Sequence, residues 1–154
     1  MTDLNALAQR CHFETERLTV SRRRSPRQDP VAERQFIDRV LDLLTPAVTK
    51  SLPEGWQQID TPATARDWIK DRAQESVFLT VRLISSQVLA GFLFLYPSDE
   101  AGDEGISLHI GYLLAESQWG KGLGAELIAG LVAWCQGAGN IASICGGVEP
   151  ENIA

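Results

Sequence analysis

The sequence predicts one α/β domain in which a mostly antiparallel sheet runs into a strand, glycine loop, helix and strand crossover. Three observations carry this. Apolar runs with strand texture recur at residues 76–84, 88–96 and 106–116. Segments with apolar residues three and four apart, the spacing of an amphipathic helix, begin at Pro30, at Thr61 and at Ala125. The third apolar strand passes through QWGKGLG, residues 118–124, into the last of these helices and then into IASICGGVE, residues 141–149. Such a unit is a right-handed crossover in a sheet.

Taken in order, residues 17–21 (RLTVS) alternate apolar and polar and predict a first strand. From Pro30 the apolar positions Val31, Phe36, Ile37, Val40, Leu41 and Leu44 mark a helix capped by Asp29, with Pro30 in its first turn. The longest irregular stretch is expected over residues 45–60. A second helix starts at Thr61-Pro62 and carries Ala65, Trp68 and Ile69 on one core-facing side. SVFLTVRLI, the turn Ser85-Ser86-Gln87 and VLAGFLFLY form a hairpin, which Pro97 and the acidic loop SDEAGDEG are expected to end. ISLHIGYLLAE is the next strand, residues 125–135 the next helix and residues 141–149 the final strand.

Composition bounds what such a domain can do. With 154 residues, 44% hydrophobic and 22% charged, one ordinary globular core is expected. The first residues are polar and acidic, and no apolar run approaches the roughly 18 residues that span a bilayer, so the expectation is a cytoplasmic protein without a membrane partner. Three cysteines, Cys11, Cys135 and Cys145, lack CxxC spacing, which argues for reduced structural thiols and no metal site. A net charge of −6 argues against nucleic acid as a partner, whose phosphates are bound by Lys and Arg. The basic knot Arg22, Arg23, Arg24 and Arg27 reads either as a solvated strand end or as a contact to phosphate or an acidic partner.

Glycine costs roughly 1 kcal/mol relative to alanine within a helix. Three glycines at alternate positions, Gly120, Gly122 and Gly124, therefore mark backbone that must bend or be approached closely. A strand that runs through them into a helix leaves free amides and the positive helix end facing one point, which is an anion site. A P-loop is excluded because Gly122, and no hydroxyl residue, follows Lys121. A dinucleotide fingerprint is excluded because Leu127 stands three places after Gly124 and no acidic residue lies about 20 residues on. A tight turn without a ligand needs fewer glycines than these.

The segment IGYLLAESQWGKGLGAELI, with VEPENIA further on, resembles the GNAT superfamily of acetyl-CoA-dependent N-acetyltransferases. Together with FETERLTV near the start, it is similar to the ribosomal-protein N-terminal acetyltransferase (Rim-type) branch in particular. The resemblance spans nearly the whole chain. It implies a GNAT-like mixed sheet with a splayed parallel pair and flanking helices, and acetyl transfer from acetyl-CoA, with no metal, to a primary amine acceptor. A protein N-terminal amine leads by branch; a small amine, or a non-catalytic or truncated CoA-binding module, are the rivals. The family loop Q/R-x-x-G-x-G/A falls on Trp119, Gly120, Lys121, Gly122, Leu123 and Gly124, with Trp119 in place of the usual Gln or Arg. The glycines would clear space for a pyrophosphate held on backbone amides. The resemblance also implies a bulge near residues 111–113, and pantetheine pairing with the backbone of Leu113, Leu114 and Ala115. Asn152 matches an asparagine that contacts the pantetheine arm, or else caps a helix.

Acetyl transfer to an ammonium requires removal of a proton, polarisation of the carbonyl and protonation of the thiolate. His109 stands where many relatives carry a glutamate facing the acceptor, and histidine titrates near neutral pH, so it is the first candidate base. Glu116 is the second. Both also have plain structural readings, a packed strand histidine and a helix-entry charge. The tyrosine that many relatives place after this segment is not matched, and the family's remaining helix and two strands are expected to be missing beyond Ala154. That would leave the apolar strand at residues 141–148 with an open edge, which either pairs with another copy of the chain or is covered by the N-terminal segment.

Overall fold

The computed structural model describes residues 11–22, 30–50, 52, 56–98, 106–138 and 141–146. Among these residues six strands, β1 (Phe13–Glu14), β2 (Leu18–Arg22), β3 (Val77–Leu83), β4 (Leu89–Ser98), β5 (Ile106–Leu114) and β6 (Ile141–Gly146), form one sheet whose spatial order is their chain order. The pairs from β1 to β5 are antiparallel and β5 pairs with β6 in parallel. The mixed α/β class and the crossover read from the sequence are therefore found, with β1 as an additional short strand. The rest of the basic knot beyond Arg22 lies outside the described residues.

Among the described residues four helices flank the sheet: α1 (Pro30–Leu43), α2 (Pro46–Thr49), α3 (Pro62–Glu75) and α4 (Leu123–Ala138). In α1 the side chains of Phe36, Ile37 and Val40 are buried as their spacing predicts, but Val31 is 66% exposed, because the first turn lies beyond the strip that meets the sheet. The described part of the expected irregular stretch includes a short helix, α2, opened by the Thr45 hydroxyl, which accepts from the Val48 amide. Helix α3 begins at Pro62 for a visible reason. Thr61 and Thr64 close a reciprocal capping box, so two amides that the helix cannot satisfy are bonded by side chains.

The two faces of the sheet carry separate cores. Leu123, Leu127, Leu131 and Cys135 of α4 lie against Leu18, Val20, Leu79, Leu93 and Leu114 on one face. On the other, α1 and α3 cover an aromatic group in which Trp68 meets Phe78, Phe92 and Phe94 with ring centroids 5.4–6.0 Å apart. Offset and edge contacts of this kind add to plain burial. Truncating a fully buried member such as Leu127 to alanine is expected to cost about 2–5 kcal/mol.

Strand β4 does not end at Pro97 as expected. It continues to Ser98 beside β5, and proline is tolerated there because pairing with β3 stops at Leu95, leaving that side of the strand unladdered. The bulge expected near residues 111–113 is also not found as an insertion: the β4–β5 register is unbroken from Gly91–Leu114 to Ser98–Ser107. What the sheet shows there is a close approach. A side chain at Gly91 would collide with the backbone carbonyl of Leu113. Among the described residues β6 is last in the sheet order, and no helix is long and apolar enough to cross a membrane.

Candidate active site

Strand β5 is the spine of the site. Its pairing with β6 covers only Ile106 to Ile110, so over residues 111–114 no described strand lies on that side. The β4–β5 ladder fixes where the backbone of β5 points. Ala115 donates its amide to the Ala90 carbonyl at 2.8 Å, and alternation then turns the backbone of Tyr112 and Leu114 away from β4, toward the β6 side. Of Leu113, Leu114 and Ala115, it is Leu114 whose backbone faces the β6 side. Its carbonyl accepts the indole N–H of Trp119 at 2.9 Å.

After β5 the chain makes a single 3-10 turn, Glu116–Gln118, so Glu116 is an exposed turn residue, two places past the end of the strand it was expected to finish. The Trp119 amide donates to the Glu116 carbonyl at 3.1 Å, and its ring packs against both cores. Both N–H groups of Trp119 are thus used inside the chain. Gly120 and Gly122 have φ of 75° and 78°, the left-handed region that L side chains rarely adopt. Nothing lies within 4 Å of a side chain built at Gly120, so the loop is open on that side. Helix α4 then starts at Leu123, whose side chain is buried. Glu126 donates its amide to the Gly122 carbonyl at 3.1 Å; the amides of Leu123, Gly124 and Ala125 precede that bond and have no helical partner.

Gly124 differs from the other two glycines. It lies within α4, and a Cβ there would be 2.7 Å from the Tyr112 hydroxyl oxygen, so its smallness serves helix-to-strand packing. Burial pushes the Tyr112 phenol above its ordinary range. The loop geometry fits a pyrophosphate: two positive-φ glycines, space above the chain and uncommitted amides at a helix start.

His109 is exposed on β5, opposite Tyr96 of β4 and Cys145 of β6. Alternation puts it on the face of Leu113, beneath α1 and α3, away from α4. Beside it stands a cluster that spacing along the chain did not reveal. The Tyr96 hydroxyl donates to Glu75 at 2.9 Å, and Glu75 also accepts from Arg72 at 2.8 Å. Burial, and then the bond to the Glu75 carboxylate, pushes Tyr96 up to about 12. The Arg72 guanidinium lies 4.4 Å from the Trp56 ring centre, with Nε and Nη1 buried and unpartnered. Among the described residues no three His, Cys, Asp or Glu side chains meet as a metal site. Asn152 lies outside the described residues.

The family follows from the match to its sequence model, described as the acetyltransferase (GNAT) domain, over residues 4–154; this chain belongs to the GNAT acetyltransferases. Solved structures agree on the fold. A GNAT acetyltransferase from Bacillus anthracis superposes with a TM-score of 0.69 at 17% identity, over 92% of this chain and 76% of that one. An acetyltransferase from Agrobacterium tumefaciens str. C58 gives a TM-score of 0.53 at 25% identity over the same shares, 92% and 76%. The microcin C7 self-immunity acetyltransferase MccE, solved with acetyl-CoA and AMP, gives 0.59 at 15% identity over 82% and 66%. No curated protein matches the chain significantly.

Proposed function

We propose that this chain is an N-acetyltransferase that moves the acetyl group of acetyl-CoA to a primary amine, with a protein N-terminal amine as the leading acceptor. The observation that carries the reading is the loop between β5 and α4, where Gly120 and Gly122 hold positive φ beside the free first amides of a helix. The acceptor class rests on the similarity of FETERLTV and IGYLLAESQWGKGLGAELI to the Rim-type branch.

In this reading the amides between Gly120 and Gly124 hold the pyrophosphate, and the Lys121 side chain adds positive charge from solvent. The β5 backbone at Leu114, beyond the last described pairing with β6 at Ile110, takes the pantetheine arm. Acetyl-CoA supplies an activated thioester. His109 takes a proton from the acceptor ammonium, the neutral nitrogen then bonds to the carbonyl carbon as the carbon–sulfur bond breaks, and the proton the nitrogen sheds as the amide forms ends on the departing thiolate. MccE, which shares the fold, was solved in complex with acetyl-CoA and AMP, which supports the choice of donor.

Incubation with radiolabelled acetyl-CoA and separate pools of N-terminal peptides and small amines tests the proposal. Label in the peptide pool is the expected result. Label only in small amines overturns the acceptor class, and no transfer to any pool overturns the enzymatic reading.

A further inference from the structure

Helix α4 carries an acidic residue, Glu126, in the first turn of the helix whose start is read above as the pyrophosphate site. A carboxylate there is well placed for the helix dipole but wrongly charged for a phosphate-binding helix start. The structure answers this with residues from the far end of the chain. The Thr15 hydroxyl donates to Glu126 Oε2. The Arg17 amide donates to the same oxygen at 2.9 Å, and Arg17 Nε donates to Oε1 at 2.7 Å. Thr15 is itself held, since its hydroxyl accepts the Leu18 amide at 3.1 Å. Gly130 lets α4 come this near: a Cβ there would stand 2.6 Å from Thr15 Cγ2.

Arg17 reaches one step further, into the glycine loop. Its Nη1 donates to the Lys121 carbonyl at 3.0 Å, which fastens that carbonyl on the Arg17 side of the loop. Its Nη2 lies 3.8 Å from where a side chain at Gly122 would begin. One guanidinium therefore neutralises the acidic residue of the helix start, holds a loop carbonyl and brings positive charge to the glycine where an anion would approach.

The geometry points to Arg17 as the positioning residue of the anion cradle: paired with Glu126, it sets the charge and the loop conformation on which binding of the donor's pyrophosphate depends. This rests on the proposed acetyl-CoA site. It assigns the β1–β2 turn a part in donor binding. Burial raises the Glu126 carboxyl, but the bonds from Thr15 and Arg17 and the Arg17 charge outweigh it and hold that carboxyl below its ordinary value. At neutral pH Glu126 is thus an anion, and removal of Arg17 leaves it uncompensated beside the cradle.

Calorimetric titration with CoA, at low and high salt, of the wild-type chain and of Arg17→Gln, Glu126→Gln and the double variant tests this, with melting temperatures measured alongside. Arg17→Gln is expected to weaken CoA binding about tenfold at low salt, the effect of one uncompensated charge near a phosphate. The deficit should shrink at high salt, because exposed charges are screened. Glu126→Gln alone should bind CoA as well as the wild type or better, and adding it to Arg17→Gln should restore the part of the affinity lost to the uncompensated carboxylate, leaving the part that depends on the Arg17 bond to the Lys121 carbonyl. Unchanged binding by Arg17→Gln, or a double variant no better than that single one, overturns the inference. If Arg17→Gln does not fold, Glu126→Gln decides alone, and weaker binding by it overturns the inference. Failure of the wild-type chain to bind CoA would instead sink the donor reading itself.

Discussion

The hydroxyl of Tyr112 on β5 occupies the space into which a side chain at Gly124 on α4 would grow, 2.7 Å from its first atom. Gly124→Ala gains about 1 kcal/mol of helix propensity but must displace a half-buried ring, and overpacking of this kind costs about 1–3 kcal/mol. A net loss of stability is expected. Tyr112→Phe removes the nearest atom, so the double variant should lose less than the two single losses added together. Urea unfolding of the four proteins checks this; strict additivity would show that the two sites do not touch.

Gly122 poses a different constraint, because its φ of 78° is a conformation that a β-branched side chain adopts only with strain. Gly122→Val should reshape the loop and weaken CoA binding by tenfold or more, on the order of the 1–2 kcal/mol that the left-handed backbone costs a side chain. The fold should survive, since α4 is anchored by Leu123, Leu127 and Leu131 in the core. Titration with CoA, alongside a circular dichroism spectrum, measures both.

For His109, exposed on β5, the expectation is a split between chemistry and binding. His109→Gln keeps a hydrogen-bonding side chain of similar size but cannot take up a proton at neutral pH. Label transfer should fall by about 100-fold or more, within the range typical of general base catalysis, with CoA affinity unchanged. Full activity in this variant would hand the role to Glu116 or to solvent.

Alkaline pH should expose the buried thiols. Burial, and secondarily the charge of Cys135, pushes Cys11 up to about 12, while burial pushes Cys135 up to about 11. Both are favoured as neutral thiols in the fold. Their contribution to stability is therefore fully present below the ordinary thiol range and is lost as pH rises from about 9 toward 11–12. The urea midpoint should fall steeply over that window, less so in Cys135→Ala, and thiol reagents at pH 8 should label these two cysteines far more slowly in the native chain than in urea.

Local signals were legible where local physics decides. Thr61 and Pro62 announce the start of α3 because a cap needs only its own turn, and the β3–β4 hairpin follows from two apolar runs and a short turn. The glycine loop was visible as a spacing, yet the three glycines do two jobs: Gly120 and Gly122 bend the chain, while Gly124 makes room for Tyr112. That division depends on a strand and helix meeting in space. For the same reason no spacing pointed to Arg17 and Glu126, whose bonded atoms lie 109 residues apart, or to Tyr96, Glu75 and Arg72 beside His109. Pro97 misled because its missing N–H matters only if β3 reaches it, and β3 stops short.

The sheet keeps its strands in the order of the chain from β1 to β6. Each strand can therefore be laid on the one before it as soon as it is available, and no later strand has to be inserted between two that have already paired. The β3–β4 hairpin, closed by only a few residues, is the cheapest place for that growth to begin, because the entropy lost in closing a loop rises with its length. The costly steps are the ones that wait on helices: joining β2 to β3 around α1, α2 and α3, and closing β6 on β5 across α4. The glycine loop sits inside the second of these connections, so the segment read as the donor cradle shares the entropic cost of closing β6 on β5.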